Sequence, residues 1–371
     1  MLKALEYFGA ALPDVLADLR ELVEVESPSS DPEALAQAAL WIESHLEVMG
    51  LVPDRLGTSE APILRVRRSG EGPRFLLLAH FDTVHPKGSF DPVYRVEGDR
   101  ALGPGVYDMK GGIVMALWAV RYLLAQGGHF PFTLLFTPDE EVGSGVSRSY
   151  IEAEAREAQA VLVLEPPTRE GDLKIARKAA GTYWLTVYGR AAHQGTEPEL
   201  GANAVVELAR QITRLAELED RELGTTIGPN LITGGTAWNV VADWAQVGID
   251  VRAWSAAEFA RVEAALKGLR AFDPRVSLEI KGGMNRPPLE PVPGSQELLQ
   301  KAQRLAGSLG TKLDGRRVGG GSDGNFTAAL EVPTLDGFGA PGGDAHKKSE
   351  YVRISELPPR VALLAGMLMP D

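Results

Sequence analysis

The chain has 371 residues, a formal net charge of -12, 44% hydrophobic and 24% charged residues, and no cysteine. Its length exceeds what one hydrophobic core usually serves, so two domains of unequal size are expected, and its composition is that of an ordinary soluble globular protein. The acidic surface repels polyanions, which argues against nucleic-acid and anionic-membrane partners; without thiols, disulfides, iron–sulfur clusters and thiolate zinc sites are excluded, and any metal must be held by nitrogen and oxygen.

Residues 1–18 include Glu6, Asp14 and Asp18 and have no long apolar stretch behind a basic start, so a secretory signal is not expected; no apolar run reaches the length of a membrane span. The cytoplasm is the expected compartment. Over 33–49, Leu35, Ala39, Ile42, Leu46 and Met49 recur at steps of three and four before Gly50, which predicts an amphipathic helix. Short apolar runs at 75–79, 133–137 and 161–164, with a helical stretch over 112–125 between the first two, predict buried strands of an α/β sheet.

The pattern changes between 181 and 282. A strand is predicted over 183–188, a helix over 202–218 presenting Val205, Leu208, Ile212 and Leu215, strands over 226–233 and 245–253, a helix over 256–269 and a strand over 276–280. That order, β-α-β-β-α-β, is a ferredoxin-like unit. Prolines at 287, 288, 291 and 293 form a stiff connection, after which α/β character returns through 295–309, 325–330 and 333–338. The expected architecture is a mixed-sheet α/β/α domain made of 1–178 and 284–371, with the ferredoxin-like domain inserted at 179–283.

Polar residues at the ends of the apolar runs carry the chemistry. His80 and Asp82 follow the run 75–79, at the strand edge where open α/β sheets bind ligands. Their spacing of two places both side chains on one face, so that Asp82 could take a proton from one ring nitrogen while the other binds metal. In the glycine-rich stretch 103–112, Asp108 replaces the third glycine of a dinucleotide fingerprint; its charge repels pyrophosphate and suits a bridge between cations. Asp139, Glu140 and Glu141 set three carboxylates after the run 133–137, and their mutual repulsion calls for cations; one could bind metal while another moves protons. Glu165 follows the run 161–164, and His346 lies in a glycine-rich loop. Each feature alone could be structural, as His45, His85 and His129 are taken to be. Five such placements in one chain point to a metal site.

The segments HFDTV at 80–84, GPGVYDMKGG at 103–112, PDEEVGS at 138–144 and GAPGGDAH at 339–346 resemble the two-metal aminopeptidase-like hydrolases. That family includes glutamate carboxypeptidases, aminoacylases, acetylornithine deacetylases and succinyl-diaminopimelate desuccinylases, and the resemblance is closest to the glutamate carboxypeptidase branch. It covers essentially the whole chain. It implies two divalent ions, zinc by expectation with cobalt or manganese acceptable, with His80 and Glu165 on one, Glu141 and His346 on the other and Asp108 between them. Glu140 becomes the general base and Asp82 the partner of His80. The peptide after Asp108 would be cis.

The resemblance also makes the inserted domain a dimerisation domain. His193, in GRAAHQG at 189–195, would bind the substrate's carbonyl oxygen from the partner subunit of a homodimer. Asn239 and Arg252 match positions that hold the substrate's carbonyl and terminal carboxylate, a task that the planar guanidinium suits. The glycine loop 319–324 could place backbone donors near substrate, and departs from many members, which carry threonine or fewer glycines there. The leading reading is an enzyme that removes a carboxy-terminal residue such as glutamate from a small peptide or acylated amino acid. The rivals are a biosynthetic N-acyl amino-acid deacylase and a non-catalytic, metal-stabilised binding protein. A nucleotide-dependent enzyme is disfavoured by the lack of a G-x-x-x-x-G-K-[ST] loop.

Overall fold

The computed structural model describes residues 1–128 and 130–369; His129 lies outside them. The chain divides into two compact units, one made of Met1–Ala176, Pro291–Val318 and the residues from Ser322 onward, the other of Arg177–Glu290 and Gly319–Gly321.

The first unit is built on an eight-stranded mixed sheet, in the order Asp54–Gly57, Pro62–Arg68, Phe132–Thr137, Phe75–His80, Ala160–Val163, Thr334–Asp336, Leu173–Arg177 and Gly315–Val318. Its four central strands run parallel, and Pro62–Arg68 pairs antiparallel with Phe132–Thr137. All six residues of Phe75–His80 are buried, because side chains alternate between two covered faces. Leu77 and Ala79 pack with Leu35, Ile42, Ile113, Leu117, Val361 and Leu364, while Leu76 and Leu78 pack with Ile151, Ala155 and Phe326. Helices therefore cover both faces, giving the expected α/β/α layers. Each such leucine contributes roughly 1.5–3 kcal/mol by leaving water.

The helix expected over 33–49 is Pro32–Val48. Asp31 caps it by accepting from Ala34 N–H at 3.1 Å, proline opens it, and Leu35, Ala39, Ile42 and Leu46 are buried. Gly50 follows at φ 73, a conformation that glycine adopts readily. The run over 112–125 forms helix Gly111–Ala125. A small four-stranded sheet, Gly342–Gly343, Tyr351–Arg353, Arg100–Leu102 and Arg95–Glu97, is separate from the main one.

The second unit is an antiparallel sheet in the order Thr226–Gly234, Trp244–Ala253, Ala179–Tyr188 and Ser277–Arg286, with helices Ala204–Ala216 and Ala256–Lys267. The chain order is the expected β-α-β-β-α-β. Tyr183, Leu185 and Val187 pack with Leu208, Leu215, Phe259, Val262 and Leu266, whereas Trp184 and Tyr188 on the opposite face are exposed. One expectation is corrected: Val205 is exposed rather than part of the buried stripe. Glu207 and Gln211 are buried instead. They are tolerated there because Glu207 accepts the N–H groups of Phe272 and Asp273 at 2.9 and 3.1 Å, and Gln211 donates to Glu207 and to Arg270 O.

Candidate metal centre

The parallel strands deliver most of the candidate ligands to one edge of the sheet. His80 is the last residue of Phe75–His80. Glu140 and Glu141 begin a one-turn 3₁₀ segment after Phe132–Thr137, and Glu165 lies two residues past Ala160–Val163. Asp108 sits in the kinked turn Val106–Lys110 ahead of Gly111–Ala125, with non-helical φ and ψ of -117° and 90°. The Asp108–Met109 peptide is cis. His346 follows Gly342–Gly343 with φ 63, in the left-handed region that residues other than glycine rarely enter. Close approach fixes Gly339: a Cβ there would lie 2.3 Å from Leu164 O, and its N–H donates to Glu165 O at 2.8 Å.

Two groups of three result. His80, Asp108 and Glu165 form one and Asp108, Glu141 and His346 the other, with the ligand atoms of each group within 4.8 Å of one another. His80 Nε2 is 3.3 Å from Asp108 Oδ1 and 3.5 Å from Glu165 Oε1. His346 Nε2 is 3.2 Å from Asp108 Oδ2 and 3.4 Å from Glu141 Oε2. Asp108 thus turns one oxygen toward each group.

The ring of His80 is oriented from behind. Its Nδ1 is 3.1 Å from the main-chain oxygen of Asp82, which can only accept, so Nδ1 carries hydrogen and Nε2 of the neutral ring offers a lone pair to two carboxylates. Electron-rich atoms facing one another attract a cation, either a proton on the imidazole or a metal ion that displaces it. His80 Nε2, Asp108 Oδ1 and Glu141 Oε1 are buried and make no hydrogen bond among the described residues, which is the donor set a divalent ion with nitrogen and oxygen preference would satisfy. The residues fit the group.

The electrostatics follow from this crowding. Burial would lift the Asp108 carboxyl, but His346 and His80 pull it well below the usual carboxylate range. Asp108 and Glu141 push His346 up to about 11. Burial and the Asp108 charge raise Glu141, although His346 opposes them.

Asp82 is fully buried. Its carboxylate lies 3.3 Å from His80 Nδ1 and accepts from Ser29 Oγ at 2.7 Å, Glu140 N–H at 3.1 Å and Glu141 N–H at 3.2 Å. It therefore ties two candidate ligands, His80 and Glu141, to Glu140. Asp139 takes a different part from its neighbours: it accepts from Ser147 Oγ and from the N–H groups of Val146 and Ser147, closing the turn that leads into Arg148–Arg156.

Of the histidines expected to be structural, His45 stacks on Trp41 with centroids 3.7 Å apart. His85 is bonded to Glu350, and Glu350 in turn to the Asp108 turn. Neither Glu350 nor Ser29 was singled out from the sequence. His85 carried one signal, its place five residues after His80 in the same segment.

In the second unit His193 and Asn239 are brought together. Residues 193 and 240 form an isolated bridge, Gln194 N–H donates to Asn239 O at 2.9 Å, and both side chains are on the surface. Gly195 N–H donates to His193 Nδ1 at 3.1 Å, so the neutral ring carries its hydrogen on Nε2 as a donor. Arg252 lies on Trp244–Ala253, and Asp250 holds its Nε and Nη2 at 2.9 Å each. The glycines at 320 and 321 turn their carbonyls to Arg177 Nη1, at 3.1 and 2.9 Å.

Residues 76–369 match peptidase family M20/M25/M40. The chain is 33% identical over 377 residues to carboxypeptidase G2 of Pseudomonas sp. (strain RS-16), covering 96% of this chain and 89% of that protein. It is 30% identical over 357 residues to succinyl-diaminopimelate desuccinylase of Alkalilimnicola ehrlichii, covering 88% and 92%. Aminopeptidase PepT of Bacillus cereus shares the fold with a TM-score of 0.81 at 20% identity, over 96% and 98% of the two chains. The protein is a hydrolase acting on peptide or amide bonds. The chain belongs to peptidase family M20/M25/M40.

Proposed function

We propose that this hydrolase uses two divalent ions, zinc by preference, to cleave an amide bond beside a free carboxylate, releasing a carboxy-terminal residue such as glutamate from a small peptide or acylated amino acid. The observation that carries the reading is the division of Asp108, whose Oδ1 faces His80 and Glu165 while Oδ2 faces His346 and Glu141. Such ions supply Lewis acidity, activating a water and polarising the scissile carbonyl. Glu140, anchored through its N–H to Asp82, takes the water's proton and returns it to the leaving amine. Asp82 keeps the His80 ring in the tautomer that presents Nε2.

His193, as an Nε2–H donor, would stabilise the developing oxyanion from the partner subunit of a cytoplasmic homodimer. Asn239 would bind the same carbonyl and Arg252 the terminal carboxylate, sharing its guanidinium with Asp250. The 33% identity to carboxypeptidase G2 supports release of a carboxy-terminal residue. The 30% identity to a succinyl-diaminopimelate desuccinylase favours a second reading, a biosynthetic deacylase with the same ions and base.

The test is a substrate panel of dipeptides and acyl amino acids ending in glutamate beside acetylornithine and succinyl-diaminopimelate, each run before and after chelation and zinc return. Zinc-dependent release of glutamate is expected. Turnover of acetylornithine or succinyl-diaminopimelate alone would favour the deacylase, and chelator-resistant turnover would remove the ions from the mechanism.

A further inference from the structure

Three loops that carry candidate ligands meet on one buried pair that the hydrolytic steps leave unused. His85 Nε2 lies 2.6 Å from Glu350 Oε2. The other oxygen, Glu350 Oε1, accepts the backbone N–H groups of Tyr107 at 2.9 Å and Asp108 at 3.0 Å. Glu350 is 1% exposed and His85 7%. A carboxylate removed from water is tolerated only when its oxygens are bonded, and here two amides and an imidazole N–H do so.

The sequence positions give this pair its reach. His85 is five residues beyond His80, Tyr107 and Asp108 lie in the kinked turn, and Glu350 is four residues beyond His346. Each anchor is itself held. The His85 ring packs edge-on against Phe90 with centroids 5.0 Å apart. Glu350 N–H donates to Lys347 O at 3.0 Å, and the next residue, Tyr351, opens a strand paired with Arg100–Leu102. A displacement of Glu350 would move the amide of Asp108, and with it the carboxylate whose two oxygens face the two groups.

We propose that Glu350 and His85 are positioning residues that set the spacing of His80, Asp108 and His346, so that both ion sites are preformed; this rests on the two-ion reading above. Residues behind a metal's direct ligands typically change its affinity by about 10–100-fold when lost. A pair that served stability alone would lower the melting temperature and leave ion affinity untouched.

The experiment titrates zinc alone into chelator-stripped full-length protein against a chromogenic competitor, with folding checked by circular dichroism. Glu350→Ala is expected to weaken zinc binding by about 10–100-fold and to lower kcat more than it raises KM. His85→Phe should weaken binding by about tenfold, and His85→Gln, which keeps an N–H donor, should recover most of that loss. A folded Glu350→Ala protein that binds two ions as tightly as the parent overturns the inference. If Glu350→Ala does not fold, equal zinc affinity in His85→Phe and His85→Gln overturns it instead. A parent protein that takes up no zinc removes the two-ion reading itself, and this inference with it; two tight ions in both the parent and Glu350→Ala remove only the role of Glu350.

Discussion

Glu140 donates its backbone N–H to Asp82 Oδ1 at 3.1 Å, so the residue proposed to move protons is tied to the residue that orients His80. Asp82 also receives Ser29 Oγ and Glu141 N–H, and lies beside His80 Nδ1. An amide at this position has one good acceptor oxygen and turns an NH₂ toward donors. Asp82→Asn should therefore weaken metal binding by about 10–100-fold and lower kcat, measured by metal competition and steady-state kinetics. Parent-like values for both would contradict the orienting role.

Glu140→Gln keeps the shape of the side chain and the N–H bond to Asp82 but cannot accept a proton. The expected result is a loss of about 10²–10⁴-fold in kcat with metal content and melting temperature unchanged. Turnover within threefold of the parent would remove Glu140 from its role.

His193 can be tested by mixing two inactive chains. If it acts across subunits, co-refolded Glu140→Gln and His193→Ala chains form mixed dimers in which one site has both groups, and about a quarter of the parent activity returns. His193→Ala alone should lose about 10²–10³-fold in kcat. No recovery in verified mixed dimers would confine His193 to its own chain.

Away from the metal centre, Arg275 pulls the half-buried Asp273 carboxyl down to about 2, with a 2.7 Å ion pair. A depressed carboxylate stabilises the fold at pH values above its unfolded value, near 3.9, and the contribution fades as pH falls toward about 2. The melting temperature of the parent should exceed that of Asp273→Asn slightly at pH 6, the gap closing between about pH 4 and 2, since an ion pair at the surface contributes little. A gap that widens on acidification would contradict the sign.

The parts of this architecture legible in the sequence were those written in consecutive residues. The runs ending at Ala79, Thr137 and Leu164 could be read as strands because buried parallel strands are apolar throughout, and the polar residues after each then fell at the sheet edge. Helix Leu357–Leu368 escaped notice because it is buried on nearly every side, leaving no 3.6-residue period to read. Leu2–Ala10 and Leu12–Glu24 are separate helices of 9 and 13 residues joined at Ala11, each too short for its amphipathic pattern to stand out in the sequence. Val205 looked apolar enough to be core, but the stripe belongs to Glu207 and Gln211, whose partners Arg270, Phe272 and Asp273 come from a distant segment. Glu350 was invisible for the same reason: its contacts with His85 and Asp108 span 265 and 242 residues, and no local pattern records them.

The central claim is that Asp108 serves both ion sites, and metal content by plasma emission spectrometry tests it most directly on zinc-loaded, dialysed parent and Asp108→Ala proteins. About two ions per chain in the parent and almost none in Asp108→Ala are expected, because each group of three loses its shared carboxylate. Undiminished metal in a folded Asp108→Ala protein, or a parent that retains no metal, would contradict it.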